Sequence, residues 1–210
     1  MREIIKVVKE KLVAKYLKDG SIKNYSKRAK KFKPRIKARL RKNKQIIGKN
    51  IGNFFDWVKG AELVELKECN IKEDPVRPEL DNTFRRSYGR KIFGVKYKRE
   101  IHAVMCFAYT NEIPKSVEEL DRLSQDAHLQ STLRGQNVGK IAIAYTVWSK
   151  KKGGGKLIVK EVFKKIKKSN HLNRLVTLSP LTEMATKFHL KNGAKLLHKN
   201  KTTQNFEYKK

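Results

Sequence analysis

The stretch from Ile141 to Lys168 constrains this chain more than any other. Ile141–Trp148 (IAIAYTVW) is a continuous apolar run of strand length, which predicts a buried strand. Its small residues, Ala142 and Ala144, allow another layer to approach closely. Ser149-Lys-Lys-Lys-Gly-Gly-Gly-Lys follows. Then Ile158, Val159, Val162, Phe163 and Ile166 fall on one helical face, with lysines on the other. A strand, a glycine turn and a helix in that order place several backbone N–H groups at the positive end of a helix dipole, which suits a phosphate. A merely flexible turn carries the same glycines. Two nucleotide-binding patterns are excluded. Gly155-Lys156 is followed by Leu157, so there is no GxxxxGK[ST], and no GxGxxG has a suitably placed acid.

The flanking segments read as further strands and helices. Lys91–Tyr97 and Ile101–Tyr109 predict a hairpin turning at Lys98-Arg99-Glu100. Ser116–Ala127 reads as helix or loop, opened by Ser116 with Glu119 three residues on, the spacing of a capping box. Arg174–Leu178 predicts a short buried strand. Pro180–Lys191 predicts a helix ended by Asn192-Gly193. Ala194–Leu197 and Gln204–Tyr208 supply a last pair of strands, and no internal repeat is present. Asp74-Pro-Val-Arg-Pro forms a loop near the start of the main domain, so the chain divides into a segment 1–70 and a domain 71–210.

Charge separates the two parts. The 210 residues hold 51 Lys and Arg against 20 Asp and Glu, a formal net charge of +31, which attracts polyanions and implies salt-sensitive phosphate contacts. Residues 1–60 carry 20 basic and 4 acidic side chains, and the longer remainder carries 31 and 16. Met1–Gly20 is apolar at helical spacing (Ile4, Ile5, Val8, Leu12) and interrupted by Glu3 and Glu10, an amphipathic helix and not a signal peptide. Lys23–Lys44 is almost bare of apolar residues. It is either disordered or a helix that forms against a polyanion. Its candidate contacts to DNA or RNA are Lys27, Arg28, Lys30, Lys31, Lys33, Arg35, Lys37, Arg39, Arg41 and Lys42. Tyr25 and Phe32 either stack on bases or anchor the segment to the domain. Ile46, Ile47, Ile51, Phe54, Phe55 and Val58 recur at helix spacing and predict a helix packed on the main core.

Other classes are disfavoured. Cys69 and Cys106 lack paired spacing, which argues against a disulfide framework or zinc ribbon and fits a reducing compartment. The histidines show no HExxH or Cys/His pattern, so no metal is expected. No apolar run is long enough to span a bilayer, so no membrane partner is expected. The expected location is cytoplasmic, in association with nucleic acid.

Two spacings carry a family resemblance. Lys150-Lys151-Lys152-Gly153-Gly154-Gly155 is similar to the pyrophosphate loop of the GNAT acyltransferase superfamily: Arg or Gln, two residues, Gly, one residue, then Gly or Ala, here with lysine first. Ala185-Thr-Lys-Phe188-His189-Leu-Lys-Asn192-Gly193-Ala194 fits the superfamily's later motif, with His189 where a tyrosine usually sits. The resemblance implies an α+β fold of the α/β/α type, with a mixed, mainly antiparallel sheet flanked by helices and here a basic helical N-terminal extension. It implies acetyl-CoA or another acyl-CoA as cofactor, held by Val147, Trp148, Ser149, Lys150, Lys151, Lys152, Gly153, Gly154, Gly155 and Lys156. It further implies that His189 protonates the departing CoA thiolate.

Leu178-Ser179-Pro180 followed by Phe188-His189-Leu-Lys-Asn-Gly-Ala194 also resembles the catalytic region of malonyl-CoA decarboxylases, which have the GNAT fold and use a Ser and a His at such motifs. That carries catalytic roles to Ser179 and His189. This chain lacks those enzymes' long insertion between the two motifs and their large helical N-terminal domain. On the residues alone, Ser179 equally caps the following helix and His189 equally packs in the core. Glu100, Glu112, Asp126 and His102 are the candidate general bases. Three functions follow. The first is an acyl-CoA-dependent, foremost acetyl, transferase acting on nucleic acid or a nucleic-acid-associated protein, by analogy with phage enzymes that modify adenine in DNA. The second is a nucleic-acid-binding protein with an inactive GNAT fold. The third is a small malonyl-CoA-decarboxylase-like enzyme.

Overall fold

A computed structural model of the chain describes residue 42 and residues 56–135 and 139–209. From Trp57 onward the chain forms one compact unit. Its strands are β1 (Glu62–Leu66), β2 (Lys91–Tyr97), β3 (Glu100–Thr110), β4 (Ile141–Ser149), β5 (Arg174–Thr177), β6 (Ser179–Pro180), β7 (Lys195–Lys199) and β8 (Thr203–Tyr208). Its helices are α1 (Asn82–Arg86), α2 (Val117–Arg134), α3 (Gly154–Lys167) and α4 (Glu183–Lys191). The strands form one sheet in the order β1-β2-β3-β4-β5-β8-β6, with β7 on β8. Every pairing is antiparallel except that of β4 with β5. This is the mixed, mainly antiparallel α+β architecture expected.

β4 is the middle of the structure, and its unbroken apolar run follows from burial on both faces. Ala142 and Ala144 lie in the cluster under α3, with Ile158, Val159, Val162 and Ile166. Ile141, Ile143 and Tyr145 belong to the opposite cluster, with Leu120 of α2 and Leu178. The β2–β3 hairpin turns where expected. Lys98 and Arg99 both take positive φ (50° and 68°), the twist-matched turn geometry that usually recruits Asn or Gly.

Several elements differ from those the sequence predicts. α2 runs on to Arg134; Ser116 accepts the Glu119 N–H at 3.2 Å, while the Glu119 carboxylate accepts from the Lys115 N–H at 2.6 Å. α4 starts at Glu183 and not at Pro180, because Ser179 and Pro180 pair with Gln204 and Thr203 as β6. Thr182, and not Ser179, caps that helix, accepting the Ala185 N–H at 3.2 Å. β1 lies within residues 1–70, where no strand was expected. None of its residues (ELVEL) is fully buried, which suits an edge strand.

Candidate active site

The parallel pairing of β4 with β5 ends at Ala144 opposite Thr177, and the Leu178 N–H still donates to the Ala144 carbonyl at 2.9 Å. Beyond that point the chains part. β4 carries an extra residue, Tyr145, as a bulge against β3, because Ala144 faces Phe107 and Thr146 faces Cys106. After β5 the chain turns onto β8 as β6. Among the described residues no strand covers Tyr145–Ser149 on this side, so a β-edge borders the gap. The gap is a cleft of about 660 Å³, walled by Met105, Val147, Val159, Leu175 and Phe188. A second groove of about 480 Å³ is lined by Gly153, Lys156, Lys191 and Asn192, and shares Ser149, Gly155 and Phe188 with the cleft.

The glycine turn joins the two spaces. Gly153 adopts φ 85°, the left-handed region, and caps α3. A Cβ on Gly154 would stand 3.0 Å from the Ser149 Cβ and 3.3 Å from the His102 carbonyl; one on Gly155 would meet the Phe188 ring at 3.0 Å. The strand, turn and helix therefore approach too closely for side chains, and the first-turn amides of α3 lie beside the groove. Gly154→Ala is expected to destabilise the protein by about 1–3 kcal/mol by overpacking against fixed backbone, read as a lower denaturant midpoint at unchanged slope.

The lysines of this loop separate. Lys150 pairs with Glu73 at 2.7 Å at the cleft wall. Lys151 sits 5.0 Å from the rings of both Trp57 and Tyr97, and lines neither space. Lys152 is exposed and also lines neither. Lys156 lies on the groove, joined by Lys191 of α4, which no sequence motif marks. Trp148 is buried at the cleft with the Arg85 guanidinium 5.5 Å over its ring.

At the other end of the cleft, Ser179 Oγ lies 2.9 Å from His189 Nε2, and His189 Nδ1 lies 2.9 Å from the Tyr208 hydroxyl. Ser179 also donates to Thr177 Oγ1 at 3.1 Å, which accepts the Phe206 N–H as well. The imidazole stacks on Phe206 at 4.9 Å. Its helix ends in a Schellman cap: the Ala194 N–H donates to the His189 carbonyl and the Gly193 N–H to the Leu190 carbonyl, with Gly193 at φ 86°. Burial lowers the His189 pKa from 6.5 to about 4 and pushes the Tyr208 phenol up. The ring is therefore neutral at neutral pH and connects two hydroxyls. A neutral imidazole so placed accepts a proton at one nitrogen while giving one up at the other. Tyr208 and Thr177 had no motif to mark them.

Behind β4 lies a buried ion pair. Asp74 and Arg85 are both inaccessible and meet at 2.8 Å. The Asp74 carboxylate also accepts from Thr146 Oγ1 at 2.9 Å and from the Val76 and Arg77 N–H groups. Arg85 donates further to the Leu80 and Arg77 carbonyls. These bonds hold loop 73–76, which contributes Glu73, Pro75 and Val76 to the cleft, against Thr146 of β4.

The sequence candidates for a base lie elsewhere. Glu100 is within 3.8 Å of His102, Asp126 is paired with Arg122, and none of Glu100, Glu112, Asp126 or His102 lines the cleft. Glu73 is the one carboxylate among the described residues that does. Of the leader's cationic candidates, Lys42 is helical and exposed; Lys27, Arg28, Lys30, Lys31, Lys33, Arg35, Lys37, Arg39 and Arg41 lie outside the described residues. Among the described residues no His, Cys, Asp and Glu cluster suits a metal ion, and no helix is long and apolar enough to cross a membrane.

No protein-family profile matches the sequence, and no curated protein matches it. Solved structures do. The loading GNATL domain of CurA from Lyngbya majuscula is 11% identical, with a TM-score of 0.52 over 71% of this chain and 97% of that domain. A Bacillus subtilis acetyltransferase in complex with CoA is 11% identical, with a TM-score of 0.49 over 71% of this chain and 99% of that one. The malonyl-CoA decarboxylase of Agrobacterium vitis is 18% identical, with a TM-score of 0.47 over 65% of this chain. The match spans 38% of that decarboxylase and 36% of the one from Cupriavidus metallidurans. The likeness to the CurA domain establishes the fold as GNAT-like.

Proposed function

We propose that this GNAT-fold chain binds an acyl-CoA, acetyl-CoA foremost, and transfers its acyl group to an amine. The observation that carries the reading is the adjacency of two spaces that share Ser149, Gly155 and Phe188: the groove beside Gly153 and Gly155, and the cleft along the open edge of β4 that reaches the Ser179–His189–Tyr208 chain. The groove suits a diphosphate, with first-turn amides of α3 and the ammonium groups of Lys156 and Lys191 beside it. The apolar cleft suits a pantetheine arm and thioester, and the β4 edge offers main-chain groups to its amides. An amine attacking the thioester loses one proton, and the departing thiolate gains one. Ser179 and neutral His189 carry that proton between them, so no net charge is left in the cleft. Holding both reactants in one cleft supplies the rest of the rate.

The acceptor in this reading is a nucleobase amine, or a lysine on a nucleic-acid-bound protein, delivered by the cationic leader. A specific observation favours a second reading, decarboxylation of malonyl-CoA. Glu73, the one carboxylate among the described residues that lines the cleft, is engaged by Lys150, and loss of carbon dioxide needs a proton donor to carbon and no base.

Calorimetry with acetyl-CoA and malonyl-CoA, followed by thiol-release and carbon dioxide assays with and without duplex DNA, separates the readings. Acyl transfer predicts binding of acetyl-CoA and thiol release that rises with DNA or a basic protein present. Carbon dioxide from malonyl-CoA without any acceptor would instead select decarboxylation. CoA binding without turnover would leave the inactive-fold reading, and no binding at millimolar ester would end all CoA-based readings. DNA affinity is expected to fall linearly with salt on logarithmic axes; a flat dependence would remove the polyanion partner.

A further inference from the structure

We propose that Cys69 and Cys106 form a redox-active dithiol, a modification site that exchanges with low-molecular-weight disulfides. The two cysteines lie far apart in sequence, yet both sulfurs sit on one nitrogen. Arg85 Nη1 is 3.8 Å from Cys69 Sγ and 3.4 Å from Cys106 Sγ. Their surroundings differ in the way such exchange requires. Cys69 is partly exposed, in the loop after β1, while Cys106 is fully buried in the middle of β3. The Cys69 main chain is fixed by Asn82, which accepts its N–H and donates to its carbonyl, both at 3.1 Å. The hydrogen bond from Cys106, with the Arg85 charge beside it, brings the Cys69 thiol down to about 7, while burial pushes Cys106 up. Cys69, the less buried of the two residues, supplies the attacking thiolate, and Cys106 resolves the mixed disulfide.

The exchange balances without any other reagent. The Cys69 thiolate attacks one sulfur of the small disulfide, forms a mixed disulfide and expels a small thiolate. Cys106 then attacks the Cys69 sulfur, closes the protein disulfide and expels the second small thiolate. The two protons lost by the protein thiols end on the two small thiols. Under reducing conditions the reverse exchange restores both thiols, so the couple is compatible with a reducing compartment. The same guanidinium holds Asp74, which holds Thr146 at the cleft wall, so the bond forms next to the support of the candidate site. The proposal is independent of the acyl-CoA reading.

The test uses the full reduced chain, equilibrated with oxidised glutathione under native conditions, quenched in acid and alkylated after unfolding. Both alkyl adducts are expected to disappear together, and unreduced proteolysis is expected to yield a peptide joining Cys69 to Cys106. Cys106→Ala is expected to trap glutathione on Cys69, and Cys69→Ala to leave Cys106 unmodified. Two free thiols in the treated wild type, or a stable glutathione adduct on Cys69 without the cross-link, would overturn the proposal. The wild-type cross-link decides the matter even where a variant fails to fold.

Discussion

Asp74→Ala is expected to lower the unfolding free energy by about 3–5 kcal/mol, because it strands a charged guanidinium in a site with no access to water. Arg85 is completely buried and cannot shed its charge. Its remaining partners are two backbone carbonyls and two sulfurs, none of them an anion at about pH 6, below the Cys69 value of about 7. The substitution also orphans Thr146 Oγ1 and the Val76 N–H. Converting the pair together, Asp74→Ala with Arg85→Met, is expected to recover much of the loss, since an apolar replacement of a buried pair is often close to neutral. Chemical denaturation of the two single variants and the double variant measures this directly. Losses that simply add would show that the two side chains act independently, against the geometry.

His189→Gln is expected to reduce acyl-CoA turnover by about 10²- to 10⁴-fold, the usual contribution of a positioned proton-transfer group. Affinity for the CoA ester is expected to stay nearly unchanged, because the groove proposed for the diphosphate is formed by other residues. The same variant has a stability signature that does not depend on the substrate. In the folded chain His189 titrates at about 4, below its ordinary value of 6.5, because burial disfavours the imidazolium. Between those values the unfolded chain binds the extra proton and the folded chain does not. This contribution is therefore full above about pH 6.5, declines as the pH falls and levels off below about pH 4, a loss of about 3 kcal/mol in all. The Gln variant lacks that slope. If wild type and variant lose stability in parallel from pH 7 to pH 4, His189 is not held neutral by its surroundings.

Much of the framework was legible one segment at a time. β2 begins and ends where alternation and composition placed it, at Lys91 and Tyr97, because a hairpin's strands and turn are encoded within a few residues of each other. Gly193 gave the end of α4 because a left-handed residue after a helix leaves a local trace. Segments whose structure depends on a distant partner left no such trace. β6 is two residues long and exists through its bonds to β8, so Ser179-Pro180 read as the start of a helix. β1 and α1 are too short to show periodicity.

The candidate site divides along the same line. Local pattern was enough to place the apolar central strand, the triple-glycine turn and the amphipathic helix behind it. Ser179 and His189 came to notice through their resemblance to the catalytic motifs of malonyl-CoA decarboxylases. The strand, the turn and the helix rest on residues adjacent in the chain, whose side-chain period or backbone freedom constrains geometry directly. Long-range contacts were needed to show that Lys151 lies over Trp57 and Tyr97, that Tyr208 stands behind His189, and that Asp74, Arg85, Cys69 and Cys106 share one cluster. Those contacts join residues from separate strands and loops. Their energies come from burial and pairing across the sheet, which no local pattern records.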